Sequence, residues 1–156
     1  MQNLFNQLQA VVSGWKPATR PVSYTRSQVK NLIQIPLTKT LEKAFPQIQW
    51  STEYLLGASQ LVGDKVDIFG RISPDSVVII EIDNSRADQV AKKFVSRMAL
   101  SDADNVAYIT LCYSNTNSKS VSGAVETAKY AVYLHTLTDV LAAGSGKEKY
   151  YAHITI

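Results

Sequence analysis

Residues 65–83 read KVDIFGRI, then Ser73, Pro74 and Asp75, then SVVIIEID. Two β-forming runs joined by three turn-forming residues predict a hairpin. Its register decides which side chains share a face, so no other stretch constrains the fold as much. With residues 73–75 as the loop, Arg71 pairs with Val77 and Asp67 falls opposite Glu81, with Cβ atoms about 5 Å apart. Val66, Ile68, Ile72, Val78, Ile80 and Ile82 then make one aliphatic face. Asp67, Phe69, Arg71, Val77, Ile79, Glu81 and Asp83 make the other. A slip of one residue would separate Asp67 from Glu81.

Carboxylates gathered at one end of an otherwise apolar strand pair repel each other, and burial adds to the cost. A cation or a shared proton is the expected relief. The oxygen-only donors of Asp67 and Glu81, with the backbone carbonyl between Glu81 and Asp83, suit Mg²⁺, with Mn²⁺ as a substitute. Mg²⁺ so held completes its shell with water and phosphate oxygens, which points to phosphodiester hydrolysis. The plainer alternative is a solvated strand end. Asp83 can equally serve the cap of the next helix, where Asn84 and Ser85 are capping residues and Ser85-x-x-Asp88 has the form of a capping box. Glu81, behind four aliphatic residues, fits that alternative poorly.

Around the hairpin the order reads α, β, β, β, α, β, α, β. Leu4, Phe5, Leu8, Val11, Val12 and Trp15 give residues 2–15 one apolar helical face. Pro17 and Pro21 bracket a loop, residues 27–33 form a second helical piece, and Pro36 opens a further helix that ends before Pro46. IQWSTEYLL predicts a strand, GASQLVGD a loop, ADQVAKKFVSRMAL an amphipathic helix, and NVAYITLCYS a buried strand. Residues 114–122 read as a polar loop, residues 121–142 as a long helix and YYAHITI as the last strand. The expectation is a single α/β domain over residues 1–156 with a mixed sheet of about five strands flanked by helices. Residues 1–35 would be an N-terminal helical extension and residues 36–156 the core.

A chain of 156 residues with 46% hydrophobic and 19% charged residues has ordinary globular composition. This argues against disordered, collagenous and disulfide-scaffold classes. Cys112 alone cannot form an internal bridge. Neither a signal peptide nor a membrane span is evident, so a cytoplasmic protein without membrane partners is expected. The net charge of +3 permits a polyanionic partner without requiring one.

An acid in VDIFG, a short hairpin, VVIIEID and an amphipathic basic helix together resemble the PD-(D/E)xK nucleases, which share the restriction-endonuclease-like fold. The resemblance runs from residue 37 to about 112 and implies an αβββαβ core. It implies that Asp67 and Glu81 are metal ligands and catalytic, and that a helix upstream supplies another acid. Glu42 is the best match for that acid and Glu53 the second. The family's lysine, two residues after the second acid, is here Asp83, which could act on water or help hold a second metal. Where such nucleases carry the lysine on the following helix, Lys92 and Lys93 are the matching positions.

On that helix Arg86, Gln89, Lys93 and Arg97 recur at spacings of three and four, a stripe suited to phosphates and equally to a solvated face. Lys92 stands beside it. Lys16, Arg20, Arg26 and Lys30, with Tyr24 among them, could clamp a DNA backbone or form ordinary basic loops. His135, in a helix among apolar neighbours, reads as packed or exposed and not catalytic, and His153 in the last strand has no visible partner. The expected function is a Mg²⁺-dependent DNA endonuclease of restriction or defence type, acting as a homodimer or within a larger complex. The alternative is an inactive nuclease-fold subunit that binds DNA or assembles with partners. An α/β module unrelated to nucleic acid would follow if the register were wrong.

Overall fold

The computed structural model describes residues 1–19, 24–59, 62–84, 86–113 and 120–156. Its strands are β1 (Gln49–Ser59), β2 (Val62–Ser73), β3 (Ser76–Asp83), β4 (Asn105–Cys112) and β5 (Lys149–Thr155), which lie in one sheet in that order. β1, β2 and β3 are antiparallel neighbours, whereas β3–β4 and β4–β5 are parallel. Parallel neighbours need a crossover. α4 (Ala87–Leu100) and α5 (Ser120–Ser145) supply the two crossovers. Ahead of the sheet come α1 (Gln2–Gly14), α2 (Arg26–Val29), a π-helical segment (Lys30–Gln34) and α3 (Ile35–Ala44).

Helices cover both sheet faces. On one, Leu8 and Val12 of α1 and Leu37 and Leu41 of α3 pack on Ile68, Val78, Ile80, Ile109 and Ile154. On the other, Val90 and Phe94 of α4 and Leu134 of α5 pack on Phe69, Val77, Ile79, Val106 and Tyr108. β3 and β4 are therefore buried on both sides, which is why VVIIEI and VAYITL read as nearly unbroken apolar runs. Among the described residues no helix is long and apolar enough to cross a membrane.

The hairpin has the expected register, with Arg71 opposite Val77 and Ile68 opposite Ile80. The turn itself is tighter than three residues: Ser73 pairs with Ser76 across Pro74 and Asp75, and an irregularity at Ile72 absorbs the extra residue. Two other expectations change. The loop over residues 57–64 is mostly strand, since Leu56 pairs with Asp64 and Ser59 with Val62. Pro36 stands in the first turn of α3 as expected, and the helical piece ahead of it runs into α3 without a gap, from Arg26 through the π-helical segment. There the Ile35 N–H reaches back to the Lys30 carbonyl, a wider turn that accommodates a proline unable to donate.

Val66 also departs from the expected face. It packs with Tyr54, Leu56 and Phe69, opposite the cluster that holds Ile68 and Trp50. The change falls across Glu53, whose φ of +54° makes it the only non-glycine residue with positive φ among those described. A side chain in that region carries strain of about 1–2 kcal/mol, which the surrounding packing must offset.

Candidate active site at the fork of the hairpin

Pairing between β2 and β3 stops at Ile68–Ile80, one step before Asp67 and Glu81, and the strands fork there. The Ile82 N–H, which a continued ladder would direct to β2, donates instead to Asp67 Oδ2 at 2.8 Å. Gln34, buried in the π-helical segment, donates from Nε2 to the Asp67 carbonyl at 2.6 Å and to Glu53 Oε1 at 3.3 Å. Arg97 donates from Nη2 to the Lys65 carbonyl at 2.7 Å. Side chains thus replace the missing rungs, as buried backbone polar groups require.

α4 crosses above the fork. Its buried positions are Ala87, Val90, Phe94 and Arg97, at helical spacing. Lys93 precedes Phe94 and sits at the edge of this stripe, half-buried. Its Nζ lies 3.2 Å from Asp67 Oδ2, 3.1 Å from Glu81 Oε2 and 3.0 Å from the Ile82 carbonyl, with Asp83 Oδ2 at 3.8 Å. The three nearest oxygens are the donors anticipated for a metal. Glu81 is 1% exposed and receives Arg97 Nε on Oε1 at 2.7 Å. Its Oε2 has Lys93 as an ionic neighbour but accepts no hydrogen bond. Arg97 also pairs with Asp64. The hydroxyl of Tyr108, in contact with the same cluster on the β4 side, is buried without a partner.

Burial and the neighbouring charge of Asp67 push the Glu81 carboxyl up to about 7, against the pull of Lys93 and Arg97. Burial likewise raises Asp83. Burial alone would lower the Lys93 ammonium, yet Asp67, Glu81 and Asp83 outweigh it and hold Lys93 above its ordinary value. These directions agree. Burial and the acidic neighbour make Glu81 a group that holds a proton more readily than an ordinary carboxylate, despite Lys93 and Arg97 beside it.

An oxygen donor set converging on one point, with a buried carboxylate among its members, fits a hard divalent cation. The donors are two carboxylates and one carbonyl. Among the described residues no group of three or more His, Cys, Asp or Glu side chains could hold a metal ion.

Asp67, Glu81, Asp83 and Lys93 come together as the sequence suggested. Asp83 does both jobs weighed for it: Oδ1 accepts the Arg86 N–H at 3.1 Å at the start of α4, while Oδ2 faces Lys93. The helix begins after Arg86 without a side-chain cap, and Ser85 lies outside the described residues. Glu42 is exposed on α3 and lines no part of the groove above the fork, being one position past the inward-facing Leu41. Glu53 of β1 lines that groove beside Asp67.

The expected phosphate stripe divides. Arg97 is a correction: it is 7% exposed and bound to Glu81, Asp64 and Lys65, so it is a structural counter-ion of the cluster and not a surface contact. Arg86 is exposed beside Asp88, Gln89 donates to Asp88, and Lys92 points outward from α4. Sequence reasoning missed Gln34, Tyr108 and the inward role of Arg97. Only Arg97 left a signal, three residues after Phe94 on the apolar stripe. His135 pairs with Asp139 on the surface of α5, and His153 Nδ1 is buried without a partner. Arg20 lies outside the described residues, as do residues 114–119 of the expected polar loop. No family model, no curated protein and no solved structure matches this chain.

Proposed function

We propose that the chain is a metal-dependent phosphodiester hydrolase, a DNA endonuclease of the PD-(D/E)xK kind with its lysine carried on α4. The observation that carries the reading is the convergence of Asp67 Oδ2, Glu81 Oε2 and the Ile82 carbonyl on a single cation, Lys93 Nζ, at the fork of β2 and β3. The order α3, β1, β2, β3, α4, β4, with three antiparallel strands and then a parallel one, supports it as the order that resemblance implies.

Asp67 and Glu81 would hold Mg²⁺ or Mn²⁺ with the Ile82 carbonyl. The bound ion supplies a more acidic water and a polarised phosphate. Lys93, which lines the groove, offers an ammonium to the phosphate and to the charge that develops on it. Arg97 keeps Glu81 oriented through Nε, and Gln34 keeps Glu53 and the Asp67 backbone in place. A cytoplasmic setting and a homodimer with two such sites belong to the same proposal.

A second reading, an inactive subunit of this fold that works by assembly, draws on α5. Val125, Val132, Tyr133 and Val140 are each more than half exposed on that helix. Cleavage of supercoiled, linear duplex and single-stranded DNA with Mg²⁺ or Mn²⁺ separates the two. The hydrolase reading expects metal-dependent products that disappear in Asp67→Asn and Glu81→Ala. Folded wild-type protein that cleaves nothing would leave the assembly reading standing.

A further inference from the structure

The groove above the fork has a volume of about 690 Å³ and is lined by helical residues from 26 to 34 on one side and by β1, β2 and α4 on the other. Its floor holds Glu53 and Asp67, and its rim holds Arg26, Lys30 and Lys65. All three rim cations are exposed, and among the described residues none is within ion-pair range of a carboxylate. They differ in this from Arg86, Lys93, Arg97 and Lys147, each of which has an acidic partner. Three uncommitted cations on the rim suit a polyanion that runs along the groove, with Lys93 and the cation that the hydrolase reading calls for between its phosphate and the acidic floor.

Spacing narrows the choice of polyanion. The Lys30 N–H bonds to the Arg26 and Ser27 carbonyls, so Arg26 and Lys30 stand one helical turn apart, about 6 Å along the axis. That interval is close to the separation of successive phosphates on an extended strand. Val29, between them in sequence, lines the same groove and offers apolar surface to a sugar or base. A cavity of this size accepts a ligand of one or two nucleotides. A duplex is too broad to enter it.

We infer that the groove binds a single nucleic-acid strand. Arg26 and Lys30 grip consecutive phosphates on one side of Asp67, and Lys65 grips a phosphate on the other. This rests on the hydrolase reading for the choice of ligand, and the experiment keeps the two apart.

Anisotropy of a short labelled single-stranded oligodeoxynucleotide, titrated with full-length protein in Ca²⁺, tests it against the matching duplex. Three phosphate contacts on a single strand give a slope of log K on log salt of about −2, and each of Arg26→Ala, Lys30→Ala and Lys65→Ala should lower its magnitude by about 0.7. Lys43→Ala, exposed on α3 and outside the groove, should leave the slope unchanged. Tighter duplex binding, no binding by the wild type, or a triple variant that binds like the wild type overturns the inference. Groove-dependent binding without cleavage in Mg²⁺ would sink the hydrolase reading alone. Cleavage unaffected in the three rim variants would sink this inference alone.

Discussion

Glu81 should make this protein less stable as the solution becomes more alkaline, the reverse of a salt-bridged surface acid. Its carboxyl is pushed up to about 7 in the fold, against an ordinary value of 4.5. Between those values the folded state binds more protons than the unfolded state, so stability falls as pH rises through the window. With these two values, the contribution lost between pH 5 and pH 8 is about 2.5 kcal/mol. Burial raises Asp83 too, adding a slope of the same sign, and the lowered His153 imidazole contributes the opposite sign at the acid end. Comparison with Glu81→Gln isolates Glu81, because the amide keeps the volume and cannot ionise. Urea unfolding in EDTA at a series of pH values is the assay, and a difference of that size displaces the midpoint by about 1 M. The variant should lose ground relative to wild type at pH 5 and regain it at pH 8. Parallel profiles would refute the reasoning, since they would mean that Glu81 ionises as readily in the fold as in the unfolded chain.

Arg97→Ala leaves Glu81 buried with one cation and the Lys65 carbonyl without its donor. It should cost about 3–5 kcal/mol at pH 8 and less at pH 5, where Glu81 takes up a proton, as read by denaturant unfolding. Gly70→Ala places a Cβ 2.7 Å from Trp50 Cζ3 and 3.0 Å from Ile48 Cγ2. Trp50 is tied through Nε1 to the Phe45 carbonyl and cannot swing aside freely, so thermal unfolding should register a loss of about 1–3 kcal/mol. On the hydrolase reading, Lys93→Ala should reduce metal-dependent cleavage by about a hundredfold or more, while Lys92→Ala should match the wild type. Adding Asp83→Lys to Lys93→Ala should restore part of the activity if only the position of the ammonium matters, and none if its approach from α4 is required.

Legibility of the fold followed the range of the forces involved. The hairpin register was readable because alternation and turn chemistry act within a few residues, and it placed Asp67 beside Glu81 without knowledge of the rest. The same local logic failed at Val66, where the sheet changes face across Glu53. Nothing in IQWSTEYLL announces a residue with positive φ, because the strain is sustained by packing from distant elements. Pro36 was legible as a first-turn residue of α3, but the unbroken helix that runs into it was not. A proline usually ends a helix, but here a wider turn ahead of it keeps the helix running and carries Gln34 to the Asp67 carbonyl. Choosing Glu42 over Glu53 as the upstream acid had no local remedy, since only the tertiary fold shows which of the two overlooks the fork.

The departure at Asp83 is where local and global logic meet. Two residues past Glu81 on a strand, position 83 shares the face of Glu81, so a lysine there would approach the same oxygens from β3. An aspartate at that position cannot supply the cation, but its Oδ1 holds the Arg86 N–H and so sets where α4 begins. From that start, two turns bring Lys93 back over the fork, and a third turn brings Arg97 onto Glu81. Asp83 thereby touches both the start of α4 and, through Oδ2, the field holding Lys93 charged. On the proposed nuclease reading, the charge expected at position 83 is carried by α4 instead, through Lys93. Asp83, Lys93 and Arg97 then form one arrangement, which a substitution at any of the three should disturb through the other two.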